Sequence, residues 1–398
     1  MIRRKGEERS TELGFRNVVR LGYVSLFTDV STEMVLGVLP FFIVKELGGT
    51  VAVLGLIEGV AEAFNYAFRV FAGVVTDRIG RRKPLVLLGY GLSSIAKPLF
   101  AVAGSWGHAF AVRVTDRVGK GIRTSPRDAL ISDSAARPEA GKAFGLYRSL
   151  DQLGAILGPF LAFITIPIIG MRGVFWFSFL PAAVALLILL FLVSDTQGPM
   201  RRRSVFENAR EVMDRRFALL MLVLGLFALG AYNFSFVLVK AGALGVQESQ
   251  IPLVYASLNL ATVIVGLPAG MLSDRIGKLP VLSLSYLVFL STSLAGSLLT
   301  DGSFYAFLIA LLFGSYLGIA ETVQRAIVPD FTKAELKGTA YALYYTVIGM
   351  STLAANSIFG ALWTDLGPAP AFQYTIITSM AGLAGVVALM TRISPSRS

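Results

Sequence analysis

Apolar residues along this chain gather in long blocks separated by short polar connections. A helix needs about 20 mostly apolar residues to cross a hydrocarbon core of about 30 Å. Twelve stretches meet that requirement. They cover 18–44, 51–76, 84–104, 106–135, 142–170 and 173–193 in the first half, and 217–240, 251–272, 280–300, 304–328, 338–362 and 369–391 in the second. Several hold Gly and Pro, which bilayer helices tolerate better than soluble ones do. The pattern predicts an all-α integral membrane protein of twelve transmembrane helices.

Composition agrees, with 55% hydrophobic and 15% charged residues and a mean hydropathy of +0.68. Soluble chains average about 45–50% apolar and about 25% charged. The excess disfavours a soluble enzyme, a nucleic-acid binder and a secreted disulfide scaffold. With no cysteine and His108 as the only histidine, thiol chemistry, Cys/His metal sites and a Ser/His/Asp triad lack their parts. No enzyme activity, cofactor or metal is expected. The net charge of +11 is a matter of placement. Most Lys and Arg outside the spans fall in the tails and in the loops after spans 2, 4, 6, 8 and 10, while Lys45, Arg172 and Lys240 fall in or beside the opposite loops. The positive-inside rule then puts both termini in the cytoplasm, in a multi-pass protein of the cytoplasmic membrane. The polar first 17 residues, with Arg3, Arg4, Lys5, Arg9 and Arg16, read as no cleavable signal peptide. The basic connection 194–216, with Arg201, Arg202, Arg203, Arg210, Arg215 and Arg216, reads as a segment beside anionic lipid rather than a nucleic-acid surface.

The chain repeats itself at an offset of 197. Gly73-Val-Val-Thr-Asp77-Arg78-Ile-Gly80-Arg81 recurs as Gly270-Met-Leu-Ser-Asp274-Arg275-Ile-Gly277-Lys278. The same offset aligns Gly121 with Gly318, Asp133 with Asp330, and Ala143–Tyr147 with Ala340–Tyr344. Two copies of a six-span unit are implied, over 1–193 and 217–398, with 194–216 as linker. Six is even, so both copies enter from one side and a pseudo-twofold axis runs along the membrane normal.

The Gly-x-x-x-Asp-Arg-x-Gly-Arg-Arg-Lys run over 73–83 resembles the signature loop of the major facilitator superfamily. The resemblance extends over nearly the whole chain, through the span count, the central loop and the second signature copy. It implies two six-helix bundles around a central cavity, alternating access, and a small-molecule solute as cargo. Gly73 would permit close helix approach and Gly80 the turn. Asp77 would cap a nearby helix, commonly the eleventh in this family. Arg78, Arg81, Arg82 and Lys83 would pair with acids such as Asp133, with Asp274 and Arg275 as counterparts in the second copy, so that these contacts bias the conformational switch. In span 5, Gly145, Gly154, Gly158 and Pro159 partly match the motif that the family associates with exchangers. The repeat-related stretch carries Ser351 and Asn356 and lacks the Gly-Pro pair. Export by proton antiport is the reading this favours.

Ionisable residues inside the membrane are costly and mark function by default. Asp29 and Glu33 stand four apart on one face of span 1. Glu58, Glu62, Asn65 and Arg69 form a stripe on span 2. Span 4 carries Arg113, Asp116, Arg117, Lys120, Arg123, Arg127 and Asp128; span 5 carries Arg148 and Asp151; span 3 carries Lys97. Both signs occur at every depth, so much of this set reads as a salt-bridged network. Within it Asp29, Glu33 and Glu62 are the candidate proton carriers. Arg117 is the leading cation, since Arg117 with Gly121 resembles the family's span-4 motif, and Arg113 is second. The tyrosines and asparagines of the second half, among them Tyr232, Asn233, Tyr255, Asn259, Tyr316 and Tyr344, read either as packing or as the apolar wall of an amphiphile site. The expected protein is a monomeric proton-coupled exporter of small organic or amphiphilic solutes. A lipid flippase, an importer or metal-ion exporter of the same fold, and a non-transporting sensor are the alternatives.

Overall fold

The computed structural model describes residues 2–134, 140–196 and 209–392, with side chains from residue 14 onward except at 140, 334 and 392. Arg201, Arg202 and Arg203 of the basic connection lie outside the described residues. No β-strand occurs among the described residues. In hydrocarbon no water satisfies the backbone, so each apolar block must close its own hydrogen bonds, and the helix does so within one segment.

The first half forms α1 (Ile2–Leu36), α2 (Val51–Ile79), α3 (Lys83–Ala96), α4 (Trp106–Ser134), α5 (Ala140–Phe177) and α6 (Phe179–Phe191). The second forms α7 (Arg215–Ala228), α8 (Phe234–Ala243), α9 (Ile251–Ile276), α10 (Lys278–Leu298), α11 (Ser303–Ile327), α12 (Lys337–Leu366) and α13 (Pro368–Arg392). Nine helical segments among the described residues are long and apolar enough to span a membrane, against twelve expected. The difference has three physical sources. Span 4 is a full helix, α4, whose charges keep it below the apolarity of its neighbours. Spans 5 and 6 run on as one helical segment, interrupted by Gly170 at φ 67°. Span 7 is broken between α7 and α8. That break is chemically sealed: Asn233 Oδ1 accepts from Ser235 N at 2.9 Å, and Asn356 Oδ1 accepts from Asn233 N at 2.8 Å.

The chain forms two compact units, Met1–Val38 with Phe64–Arg203, and Leu39–Ala63 with Ser204–Ser398. In the first, α1 packs along α5 and α3 along α4. Its apolar core gathers Val18, Leu21, Val86, Tyr90, Ile131, Tyr147 and Leu189. In the second, α9 packs along α11 and α10 along α13. Its core is a set of rings: Tyr232 lies 4.6 Å from Phe359, 5.1 Å from Phe289 and 5.3 Å from Phe313, centroid to centroid.

The repeat read from the sequence recurs in packing. A Cβ at Gly121 would sit 2.6 Å from the Asn65 carbonyl oxygen, and one at Gly318 would sit 2.6 Å from the Thr262 carbonyl oxygen. Both pairs are related by the offset of 197. Gly73 against Ser125 and Gly270 against Thr322 are related the same way. Gly80 and Gly277 both turn the chain with positive φ, 71° and 94°, where a Cβ would clash with the backbone.

Candidate functional site

The polar interior of the first unit begins where α5 meets α1. A Cβ at Gly154 would lie 2.5 Å from the Leu26 carbonyl oxygen and 3.0 Å from Asp29 Cβ; one at Gly158 would lie 2.7 Å from Glu33 Cβ. These two glycines let the helices touch at the level of the span-1 acids. Gly145, by contrast, has nothing within 4 Å of its missing Cβ, so it takes no part in that contact. Pro159 is buried beside Gly158.

The close approach brings Asp29 and Asp151 within electrostatic reach of each other. An ionised carboxylate only accepts, so any hydrogen bond between these two acids requires a proton on one of them. Asp151 is further held by Ser25 Oγ at 2.6 Å, Tyr147 Oη at 3.4 Å and Arg148 Nη1 at 3.2 Å. Ser25 and Tyr147 are themselves 2.5 Å apart. Glu33 lies one turn along α1 from Asp29, half-buried.

The cations come from α4. Arg113, Asp116 and Arg117 are all at most 3% exposed. Asp116 Oδ2 is 3.4 Å from Arg113 Nη1 and 4.0 Å from Arg117 Nε, and Ser93 Oγ donates to the other carboxylate oxygen. Asp116 is thus fully engaged. Lys120, half-buried, lies one turn further on. Two cations that the sequence reading noted without singling out, Lys97 and Arg123, are equally buried at 1% and 3%. Lys97 Nζ donates to Thr32 Oγ1 at 3.1 Å.

Glu58 and Glu62 lie in Leu39–Ala63, within the second unit. Glu58 is wholly buried and accepts from Ser235 Oγ at 3.2 Å. There, Ala52 N donates to Thr364 Oγ1 at 2.8 Å. The stripe seen on span 2 is therefore divided between two environments, with Asn65 and Arg69 in the first unit. The second-half aromatics Tyr232, Tyr255, Tyr316 and Tyr344 are packed core, at most 6% exposed.

The signature loop is held by Arg82 rather than Arg81. Arg82 is buried, its Nε 3.2 Å from Asp133 Oδ2 and its Nη1 2.9 Å from the Thr76 carbonyl oxygen, while Asp77 lies 3.7 Å away. Asp195, absent from the sequence reading, accepts from Arg82 N at 3.1 Å and Lys83 N at 2.8 Å and so caps α3. Arg78 and Arg81 are exposed, as are Asp274 and Arg275. In the second copy the latch is Lys278 Nζ to Asp330 Oδ2 at 2.7 Å. Lys278 corresponds to Arg81, so the two halves close the same latch from adjacent positions. A methyl at Gly73 would meet Ser125 at 3.6 Å, an ordinary contact, so close approach does not require that glycine.

The sequence model of the Major Facilitator Superfamily matches residues 21–239 and again 218–398. An uncharacterized MFS-type transporter of Methanocaldococcus jannaschii is 32% identical over 95% of this chain and 96% of its own length. The multidrug resistance protein MdtH of Cronobacter sakazakii is 22% identical, over 87% of this chain and 83% of that protein. A crystal structure of the nucleoside transporter NupG superposes with a TM-score of 0.77 at 11% identity, covering 95% of this chain and 99% of that one.

Proposed function

We propose, from the premise that this chain belongs to the major facilitator superfamily, that it exports small organic or amphiphilic solutes in exchange for protons, with the Asp29–Asp151 pair as the proton carrier. The protein is a membrane transporter rather than an enzyme. The observation that carries the proton coupling is the acid pair itself. A proton shared between the two acids would lie close to buried cations whose attraction for a carboxylate opposes protonation. Small movements of α1 against α5 open or close that pair, and this ties proton affinity to conformation. The relative named for multidrug resistance and the glycine contact between α5 and α1 support export.

In this reading the chain is a monomer of the cytoplasmic membrane with both termini in the cytoplasm. The bundles 1–193 and 217–398 are joined by 194–216, and the Arg82–Asp133 and Lys278–Asp330 latches bias the switch from the cytoplasmic side. A second reading, in which proton and solute move together, is supported by the excess of buried cations on α4.

Everted membrane vesicles, acidified inside by respiration and reporting their pH with acridine orange, test both readings. Ethidium and benzoate serve as solutes. Exchange predicts that a transported solute dissipates the acid interior with wild-type protein and fails to do so with Asp29→Asn or Asp151→Asn. Co-movement predicts the opposite sign. Undiminished dissipation in both variants removes the acid pair from the mechanism.

A further inference from the structure

Buried charges in hydrocarbon need partners, and two acids of the first unit's interior are already committed. Asp116 holds Arg113, Arg117 and Ser93. Asp151 holds Ser25 and Arg148. Lys97 and Arg123 remain. Neither has a carboxylate within ion-pair distance among the described residues. The Nε and Nη1 of Arg123 are buried with no hydrogen-bond partner at all. The guanidinium lies 4.3 Å over the Tyr90 ring. That stack uses the flat face of the group, whereas the donors point outward in its plane. Stacking therefore leaves these two donors unanswered. Orphaned donors this deeply buried are rare in native proteins and call for an ion, water or ligand.

The position of the fork is built. A Cβ at Gly89 would sit 2.7 Å from Arg123 Cβ, and one at Gly119 would sit 2.7 Å from the Gly89 carbonyl oxygen. The two glycines press α3 against α4 and seat the arginine stem between them. Lys97, at the end of α3, is within electrostatic range of Asp116 and Arg123, and also of Asp29 and Glu33. Two like charges held near each other in low dielectric repel, and an anion between them turns that repulsion into attraction. A planar fork beside an ammonium matches a carboxylate or a phosphate monoester.

We infer that Arg123 and Lys97 form the binding site for an anionic group, carboxylate or phosphate, on the transported solute. This deepens the transporter reading and rests on it, but is independent of the direction of proton coupling. The site holds the solute's charged end. The acid pair across the same interior carries the proton.

The test is thermal stabilisation of the full-length protein, purified in detergent, by four ring compounds of similar size: benzoate, phenyl phosphate, benzamide and benzylamine. Stabilisation by benzoate or phenyl phosphate, and by neither control, is expected for wild type. Which of the two anions binds more tightly distinguishes a carboxylate from a phosphate site. Loss of a charge-assisted fork predicts that Arg123→Gln weakens anion binding about ten- to hundredfold. Arg123→Lys, which keeps the charge and loses the fork, should fall in between, and Lys97→Gln should weaken binding as well. The unliganded melting temperature of each variant reports folding. Should Arg123→Gln not fold, Arg123→Lys and Lys97→Gln carry the test. The proposal is overturned if no anion stabilises wild type, if benzamide does so equally, or if the folded variants bind the anions as tightly as wild type. If flux proves indifferent to a pH gradient while anion binding still depends on Arg123, the proton reading fails and the anion site stands.

Discussion

Replacing Gly154 by alanine tests the contact on which the acid pair depends. The new methyl carbon would fall 2.5 Å from the Leu26 carbonyl oxygen, 3.0 Å from Asp29 Cβ and 3.2 Å from Val30 N. Two of these neighbours are backbone, so no side chain can swing away. An ordinary contact begins near 3.4 Å, and α1 and α5 must part by roughly 0.9 Å to reach it. Overpacking of this kind costs about 1–3 kcal/mol. Alanine gains about 0.5–1 kcal/mol over glycine in a helix interior, which offsets part of the loss. Gly145→Ala on the same helix supplies the control: its space is open, so only the helix-forming gain applies there. The two variants should therefore move melting temperature in opposite directions. In detergent, Gly154→Ala should melt several degrees below wild type, at about 2–4 °C per kcal/mol, and Gly145→Ala at or above it. Proton-linked flux should fall in the first and persist in the second. Equal melting of the two variants, or Gly154→Ala the more stable, would refute the argument that this glycine sets the α1–α5 distance.

Arg82→Ala should lower the melting temperature by removing a buried guanidinium that serves Asp133 and the Thr76 carbonyl, at about 1–3 kcal/mol; Arg81→Ala, on an exposed neighbour, should leave it unchanged. Gly80→Ala and Gly277→Ala should each cost about 1–2 kcal/mol through their positive φ, and similar losses in the two would show that both signature copies still carry structure. Ser235→Ala should destabilise by about 1 kcal/mol through the lost hydrogen bond to Glu58, read as a lower melting temperature.

Helical blocks and duplication were legible because both are written in one dimension. A bilayer demands length and apolarity, and a repeat preserves spacing. Latch partners were legible only in part. Asp133 could be chosen as the acid, but Arg81 and Arg82 differ by one residue, and their burial depends on which way the turn at Gly80 sends each side chain. Asp195 was missed because a cap contributed by the far end of the unit leaves no local pattern. On span 5, Gly154 and Gly145 look alike in sequence; only the neighbouring helix tells them apart. The same holds for Glu58, whose place on the span-2 stripe gave no sign that it packs with Ser235 of α8. Lys97 and Arg123 were visible as charges inside spans, but that no acid among the described residues stands within ion-pair distance of either could be seen only in three dimensions.

The offset of 197 also shows what the duplicated scaffold conserves and what it exchanges. Backbone approaches recur: Gly121 on Asn65 matches Gly318 on Thr262. Side-chain chemistry at equivalent positions does not. Asp29 corresponds to Leu226, Lys97 to Leu294, Arg113 to Ala310, Asp116 to Phe313, Arg123 to Ala320 and Asp151 to Ile348. Gly89 and Gly119, which seat Arg123, correspond to Tyr286 and Tyr316, which fill the second unit with buried rings. The second unit thus closes at those equivalent positions without any of those charges. An ionic interior is therefore no requirement of the fold. It adds desolvation cost where rings would serve at least as well for stability, and its presence in the first unit fits the two roles proposed above: a proton carried by Asp29 and Asp151, and an anion held by Arg123 and Lys97.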